Sequence, residues 1–211
     1  MTRVVTYGSA MERAAARPLV AGHLADGGIV AYPTETVYGL GCVLRSGGLE
    51  TLAAFKGRRP FLLLIRGPED APGLRWTRDA ERLAETFWPG PLTLALSAER
   101  DDYPRQVLGP DSAVAVRVSP HPAVADLLDA VDAPVTSTSA NEPGRPPARD
   151  GAEAAGVAAA VGHEDGPVLV LDGGRLPEGR PSTIVRCAET NRLLREGAVP
   201  RWKVENVVAL E

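Results

Sequence analysis

Three positively charged side chains lie within four consecutive residues, Lys56-Gly57-Arg58-Arg59. A lysine ammonium is a compact point charge and an arginine guanidinium is a planar fork of donors, and both suit phosphate or carboxylate groups. The same cluster is also typical of a solvated helix end, where cations complement the helix dipole. Only two of the 23 basic residues are lysines, Lys56 and Lys203. Because lysine is rare in this arginine-rich chain, Lys56 is the most notable residue of the cluster. Taken alone, the cluster leaves an anion site and a helix end as alternatives.

Polar residues also collect at the ends of predicted strands. They occur at residues 33–36 (Pro-Thr-Glu-Thr), at Arg117, at residues 137–141 (Ser-Thr-Ser-Ala-Asn) and at Ser182-Thr183. Ligands of open α/β sheets bind beyond the carboxyl ends of the strands, so these residues could share one site. Serine, threonine and asparagine also favour turns and helix caps, so ordinary turn chemistry is an equal alternative at this point.

Several well-known catalytic motifs are absent from the sequence. There is no G-x-x-x-x-G-K-[ST] phosphate loop, no G-x-S-x-G nucleophile elbow and no H-E-x-x-H zinc motif. Cys42 and Cys187 are far apart and lie in no C-x-x-C motif, so we predict neither a disulfide framework nor a structural zinc site. We interpret Cys42 as a small buried residue. His121 lies between two prolines and is predicted to begin a helix rather than to act as a base.

Short strands and helices alternate along the chain, which predicts an α/β fold. The predicted strands are residues 3–7, 29–32, 61–65, 92–96, 113–118, 134–138, 168–171, 183–186 and 192–195. The predicted helices are residues 10–26, 49–55, 78–87, 121–131 and 152–161. Pro18 is expected to interrupt the first helix or to begin a new one, because proline lacks the backbone N–H that a helix interior needs.

The composition is that of an ordinary globular protein, with 211 residues, 44% of them hydrophobic and 24% charged. This length predicts one domain of ordinary size. The formal net charge of −4 argues against a protein whose whole surface grips nucleic acid, although it leaves room for a local basic pocket. No apolar run approaches the roughly 18 to 20 residues of a membrane span, so we expect no membrane association and a cytoplasmic location.

Six segments, taken together, resemble the YrdC/TsaC family. They are Tyr32-Pro33-Thr34-Glu35-Thr36-Val37-Tyr38-Gly39-Leu40-Gly41, Lys56-Gly57-Arg58, Trp88-Pro89-Gly90-Pro91-Leu92-Thr93, Val114-Ala115-Val116-Arg117, Ser139-Ala140-Asn141 and Ser182-Thr183-Ile184-Val185. They occur in the family's order, and the resemblance covers about residues 27–198. It implies a twisted mixed sheet with flanking helices around a deep basic cavity. Longer members carry a second, C-terminal domain. This chain of 211 residues is too short to include one, so residues 1–211 are expected to be a single YrdC-like domain.

The resemblance also implies an activity. Such proteins are L-threonylcarbamoyladenylate synthases, which combine L-threonine, bicarbonate and ATP and release pyrophosphate. The product feeds the threonylcarbamoyladenosine modification of tRNA, which implies a functional link to the tRNA threonylcarbamoyl-transfer machinery and leaves tRNA or RNA binding open. An N-carboxylate must approach the α-phosphate, so the site must supply cations and exclude water. Mg²⁺ would arrive with ATP, held mostly by phosphates and water, so no dedicated metal site is expected.

Two groups of residues acquire expected roles from the same resemblance. The family's nucleotide-handling and catalytic tetrad corresponds to Lys56, Arg58, Ser139 and Asn141, and a further nucleotide contact corresponds to Arg195. The pocket for L-threonine corresponds to Thr36, Arg117, Ser137 and Ser182. Arg117 would be the fork that binds the carboxylate of the amino acid.

The sequence departs from the family's pattern at a few positions. Leu62 replaces a polar residue that would help to bind the nucleotide, within the altered segment 59–63. Gly67 and Pro147 replace a histidine and a hydroxyl residue of some members, and Ser119 stands where the family often has proline. Two alternatives therefore stay open beside the synthase: a non-catalytic RNA-binding member of the same fold, and a paralogue with a different amine or carbamoyl substrate.

Overall fold

Ten β-strands and six α-helices make up the part of the chain that the structure, a computed structural model, describes: residues 2–44, 46–57, 60–100, 102–161 and 168–211. The strands are β1 (Arg3–Thr6), β2 (Val30–Tyr32), β3 (Gly39–Gly41), β4 (Leu62–Leu64), β5 (Leu92–Ser97), β6 (Ala113–Arg117), β7 (Val135–Ser139), β8 (Leu169–Asp172), β9 (Thr183–Cys187) and β10 (Arg192–Arg195). The helices are α1 (Ala10–Ala25), α2 (Gly47–Lys56), α3 (Arg78–Phe87), α4 (Pro122–Val131), α5 (Gly151–Val161) and α6 (Arg201–Glu205).

The strands form one mixed sheet in the order β1-β8-β2-β3-β7-β4-β6-β5-β9-β10. Four neighbouring pairs are parallel, namely β1 with β8, β8 with β2, β4 with β6, and β5 with β9. The other five pairs are antiparallel. The predicted α/β class and the mixed sheet are therefore confirmed, and the late strands β9 and β10 pair with each other as a hairpin.

Helices cover both faces of the sheet. Successive residues of a strand point to opposite faces, so the neighbours of alternate residues show what packs on each face. Val30 and Tyr32 of β2 belong to one buried cluster, with the apolar sides of α1 and α4. Ala31, between them, belongs to a second cluster that includes residues of α2, α3 and α5. Leu63 and Leu64 of β4 divide between the two clusters in the same way. Burial on both faces explains why these strands are continuously apolar in sequence.

The predicted interruption at Pro18 is wrong, since α1 continues through it. The helix begins at a capping box in which Ser9 and Glu12 exchange hydrogen bonds. Pro18 has no backbone N–H to donate to the carbonyl of Ala14, four residues earlier. Both residues lie on the exposed side of α1, where water can donate to that carbonyl instead. Burial of Val20 and the rest of the apolar side of α1 against α4 outweighs the lost hydrogen bond.

The strand β3 was not predicted, because its sequence, Gly39-Leu40-Gly41, has a low intrinsic preference for strands. It forms because β2 and β7 provide hydrogen-bonding partners on both of its sides. A Cβ atom on Gly41 would lie 1.9 Å from the backbone oxygen of Thr136. Glycine at this position therefore allows the close approach of neighbouring backbones that brings β7 to the site.

We expect Gly41→Ala to lower the free energy of unfolding by about 1–3 kcal/mol or more, because the added methyl overlaps the backbone of Thr136. Each kcal/mol corresponds to a fall of roughly 2–4 °C in Tm for a chain of this size. Gly22→Ala is the matched control, since Gly22 lies on α1 with no other atom within 4 Å of its added Cβ. Thermal unfolding of the two variants tests this, and a Tm for Gly41→Ala equal to that of Gly22→Ala would contradict it.

Candidate active site

A cavity of about 970 Å³ opens where the ends of the central strands meet the loops that connect them. It is lined by eight of the residues to which the sequence assigned roles: Thr36, Lys56, Arg117, Ser137, Ser139, Asn141, Ser182 and Arg195. The ninth, Arg58, lies outside the described residues. Residues that are far apart in sequence thus share one cavity, which favours a common binding site over unrelated turns.

The cavity has a strong excess of positive charge. Its cationic lining residues are Lys56, Arg117, Arg149, Arg186, Arg192 and Arg195. The one acidic residue among the described lining residues is Asp111. The whole chain carries a net charge of −4, so the excess of positive charge is a local property of this cavity. A cleft of one sign attracts ligands of the opposite sign, here anions.

Lys56 is the last residue of α2 and connects that helix to the loop after β7. Its ammonium donates hydrogen bonds to the backbone oxygens of Ser139, at 3.0 Å, and Asn141, at 2.9 Å. It also donates to Oδ1 of Asn141 at 2.7 Å. The helix ends at Gly57, which has a φ of 74° and so turns the chain away directly after the lysine.

The side chain of Asn141 is oriented by four hydrogen bonds. Its Oδ1 accepts from Lys56 and from the hydroxyl of Ser139, the latter at 2.6 Å. Its Nδ2 donates to the backbone oxygens of Glu142, at 2.9 Å, and Arg145, at 2.7 Å. These bonds fix which end of the amide faces the lysine, and Lys56, Ser139 and Asn141 consequently form one connected polar group on the cavity wall.

Arg117, the last residue of β6, is almost completely buried, with 4% of its side chain exposed. Its Nη1 lies 3.5 Å from Oε1 of Glu35, a residue of the loop between β2 and β3. The other carboxylate oxygen of Glu35 accepts a hydrogen bond of 2.5 Å from the hydroxyl of Ser119. The guanidinium is therefore a buried positive charge on the wall of the cavity.

Ser182 and Arg195 lie beside this buried charge. Arg195 donates from Nε and Nη2 to the backbone oxygen of Ser182, at 3.0 and 2.8 Å, and from Nη2 to its hydroxyl at 3.2 Å. Burial lowers the pKa of Arg195, and the nearby charge of Arg117 lowers it further. Two neighbouring guanidinium groups repel each other, so an anion bound between them would be stabilised by both.

Thr34 and Thr93 are buried threonines of the cavity wall that received no role from the sequence. Thr34 places its Oγ1 3.0 Å from Oγ1 of Thr36, and Thr93 donates to the hydroxyl of Ser182 at 2.9 Å. Both are buried and line the cavity. Thr93 carried a usable signal, because it is the one polar residue in the predicted strand 92–96.

Cys42 and His121 have the structural roles that were predicted for them. Cys42 is fully buried, and burial raises the pKa of its thiol, so it is not a reactive thiolate. His121 precedes α4 as its N-cap, where its Nδ1 accepts from the backbone N–H of Ala123 at 3.2 Å. Burial lowers the pKa of His121, which favours the neutral ring that this cap requires.

The described ranges of the chain contain no group of three or more histidine, cysteine, aspartate or glutamate residues placed to hold a metal ion. No helix in these ranges is long and apolar enough to cross a membrane.

Together, the mixed sheet and its cationic, hydroxyl-lined cavity define an α/β protein built to bind small anionic ligands. The sequence model of the Sua5/YciO/YrdC family, described as telomere recombination, matches residues 23–197. The chain therefore belongs to this family, in agreement with the resemblance of its motifs.

Relatives with assigned names are similar over most of the chain. A threonylcarbamoyl-AMP synthase of Pyrococcus abyssi is 34% identical over 200 residues, covering 90% of this chain and 56% of the relative. The protein of the same name from Alkalilimnicola ehrlichii is 36% identical over 182 residues, covering 83% of this chain and 92% of the relative. The chain thus spans little more than half of the archaeal relative and nearly all of the bacterial one.

Solved structures share the fold. The crystal structure of P. abyssi Sua5 complexed with L-threonine matches with a TM-score of 0.87 and 31% identity, covering 99% of this chain and 61% of that one. Escherichia coli YciO matches with a TM-score of 0.79, covering 97% of this chain and 98% of that one. Its identity of 24% supports the fold alone.

Proposed function

We propose that this chain is a threonylcarbamoyl-AMP synthase, which joins L-threonine, bicarbonate and ATP into threonylcarbamoyl-AMP and releases pyrophosphate and water. One observation carries the proposal: Lys56, which is hydrogen-bonded to Asn141, and the buried Arg117 line the same basic cavity. The reaction needs these two sites side by side, because the carboxylated amine of threonine must attack the α-phosphate of ATP. Relatives with this name at 34% and 36% identity support it.

The nucleotide lies along the Lys56 side of the cavity. The ammonium of Lys56, with Arg58, neutralises charge on the phosphates and on the attacking carbamate, so that two anions can approach each other. Ser139 and Asn141 bind phosphate oxygens, and the hydrogen bonds between them hold these groups in place beforehand. Arg195, which is held beside Ser182, supplies a further contact to the nucleotide. Magnesium bound to ATP would supply further neutralisation of the phosphate charge, and it would be held mostly by phosphate oxygens and water.

The amino acid occupies the Arg117 end of the cavity. The guanidinium of Arg117 binds the carboxylate as a two-pronged donor. Thr36, Ser137 and Ser182, which are 5%, 6% and 3% exposed, provide the hydroxyl groups that bind the rest of the substrate. Their burial matters for specificity. A wrong substrate would leave these hydroxyl groups without hydrogen-bond partners, and an unpaired polar group costs more free energy when it is buried than when water can reach it.

Three wider aspects belong to the same proposal. Residues 1–211 act as one YrdC-like unit, which is supported by the continuity of the ten-stranded sheet. The product is passed to the machinery that modifies tRNA with threonylcarbamoyladenosine. The chain works in the cytoplasm, where that tRNA is found.

Pyrophosphate release from ATP and Mg²⁺, measured with and without L-threonine and bicarbonate, tests the proposal. We expect release only when both are present. Release in the absence of threonine would contradict the proposed substrate. No release at all from a protein shown to be folded would contradict the enzyme and favour a non-catalytic member of the family.

A paralogue with a different amine or carbamoyl substrate is a second candidate, and one observation favours it. Leu62 lines the cavity at the position where the resemblance leads one to expect a polar nucleotide contact. Pyrophosphate release that depends on another amine, and not on L-threonine, would support this candidate.

A further inference from the structure

Glu35 and Arg117 form an ion pair that is held apart. Their closest atoms, Oε1 and Nη1, are 3.5 Å apart, which is beyond an ordinary charge-assisted hydrogen bond of about 2.7–2.9 Å. Oε1 of Glu35 and Nε of Arg117 are both fully buried and, within the described residues, form no hydrogen bond. A buried carboxylate oxygen and a buried guanidinium would normally close this gap, since unsatisfied buried charges are costly.

Ser119 explains why the gap stays open. Its hydroxyl donates to Oε2 of Glu35 at 2.5 Å, which directs that oxygen away from the arginine. The hydroxyl oxygen is itself fixed, because it accepts a hydrogen bond of 3.2 Å from the backbone N–H of His121 at the start of α4. Glu35 does not line the cavity, whereas Arg117 does. The carboxylate is thus tethered behind the arginine rather than in the substrate's place.

We propose that Ser119 is a positioning residue that tethers Glu35 and so keeps the guanidinium of Arg117 available to the carboxylate of the amino-acid substrate. This inference rests on the proposed function. With the tether, Glu35 balances part of the charge of Arg117 without taking up its donors. Without it, Glu35 rotates onto Arg117, forms a direct two-point pair and competes with the substrate for the same fork.

Four variants separate the tether from a general structural role. In Ser119→Ala, Glu35 is free to close on Arg117, so the Kd for L-threonine should rise about tenfold, the usual value of one hydrogen bond to a charged group. Ser119→Thr keeps the hydroxyl and should bind as wild type does. Glu35→Gln removes the competing charge, so it should not weaken binding. The double variant Glu35→Gln/Ser119→Ala should recover most of the affinity that Ser119→Ala loses, because the neutral amide oxygen of glutamine competes for Arg117 far more weakly than a carboxylate does.

Titration calorimetry with L-threonine provides the measurement, and L-threoninol, which lacks the carboxylate, is the control ligand. Binding of L-threoninol should be the same in wild type and Ser119→Ala, whereas a distorted pocket would weaken both ligands. Glu205→Gln, a change of an exposed carboxylate that pairs with Arg201, is the control variant and should leave binding unchanged.

The outcomes distinguish this inference from the function on which it rests. A wild-type chain that is folded but does not bind L-threonine would overturn the proposed function together with the tether. Wild-type binding with an unchanged Kd for Ser119→Ala would overturn the tether alone. A loss in Ser119→Ala that Glu35→Gln does not recover would also overturn it, since the hydroxyl would then act by some route other than Glu35.

Discussion

Lys56→Ala is expected to lower kcat/KM for ATP in pyrophosphate release by about 10²–10³-fold, the usual cost of removing one preorganised charge or donor from a reacting phosphate or oxyanion. The ammonium of Lys56 is already oriented by oxygens of Ser139 and Asn141 before any substrate binds. Little reorganisation is then needed when the phosphates arrive, and this is why its loss should affect the transition state more than the binding of L-threonine. Steady-state kinetics with each substrate varied in turn measures both effects.

The matched control is Lys203→Ala, which removes the chain's other lysine. Lys203 lies on α6, over the ring of Trp202, and does not line the cavity. We expect its loss to leave activity unchanged. The thermal unfolding of both variants must also be measured, because Lys56 joins α2 to the loop after β7. Activity within about threefold of wild type in a folded Lys56→Ala variant would contradict the assigned role, since such a change is worth well under 1 kcal/mol.

Most of the fold could be predicted because its elements carry strong local signals. The strand at residues 113–118 is apolar except for Arg117, and the structure places β6 at Ala113–Arg117. Helix α3 was predicted at residues 78–87 and has those bounds, Arg78–Phe87, with Thr77 as its N-cap. β3 and the continuous α1 were missed for one shared reason. Glycine in a strand and proline in a helix are locally unfavourable, and only contacts with neighbouring elements reverse that preference.

The residues of the candidate site could be predicted from the sequence, but the contacts between them could not. Lys56 and Asn141 belong to short motifs that stand out along the sequence, so their participation could be expected before the fold was known. The order of the sheet strands could not be read from the sequence, and that order decides which strand ends meet. Glu35 was visible as part of a polar loop, but its pairing with Arg117 depends on the approach of the loop after β2 to the end of β6.

The second large effect is expected at Arg117. Arg117→Lys keeps the positive charge but replaces a planar fork with a point charge, so we expect the KM for L-threonine to rise about 10- to 100-fold, as for the loss of a charge-assisted hydrogen bond. The KM for ATP should change little, because the proposed nucleotide site is on the Lys56 side of the cavity. Steady-state kinetics in each substrate measures this split, and Arg201→Lys, at an exposed position on α6, is the control.

Arg117→Ala should also affect folding, because it leaves the half-buried carboxylate of Glu35 without its ion-pair partner. Removing one member of a buried pair costs about 3–5 kcal/mol, and the 17% exposure of the Glu35 side chain places the expected loss toward the lower end of that range. In Arg117→Ala/Glu35→Gln the carboxylate charge is gone, so much of the lost stability should return while the weak binding of L-threonine remains. Denaturant unfolding and substrate kinetics on the same two proteins would separate the two roles. Recovery of L-threonine binding in the double variant would show that the carboxylate of the substrate is recognised by a group other than Arg117.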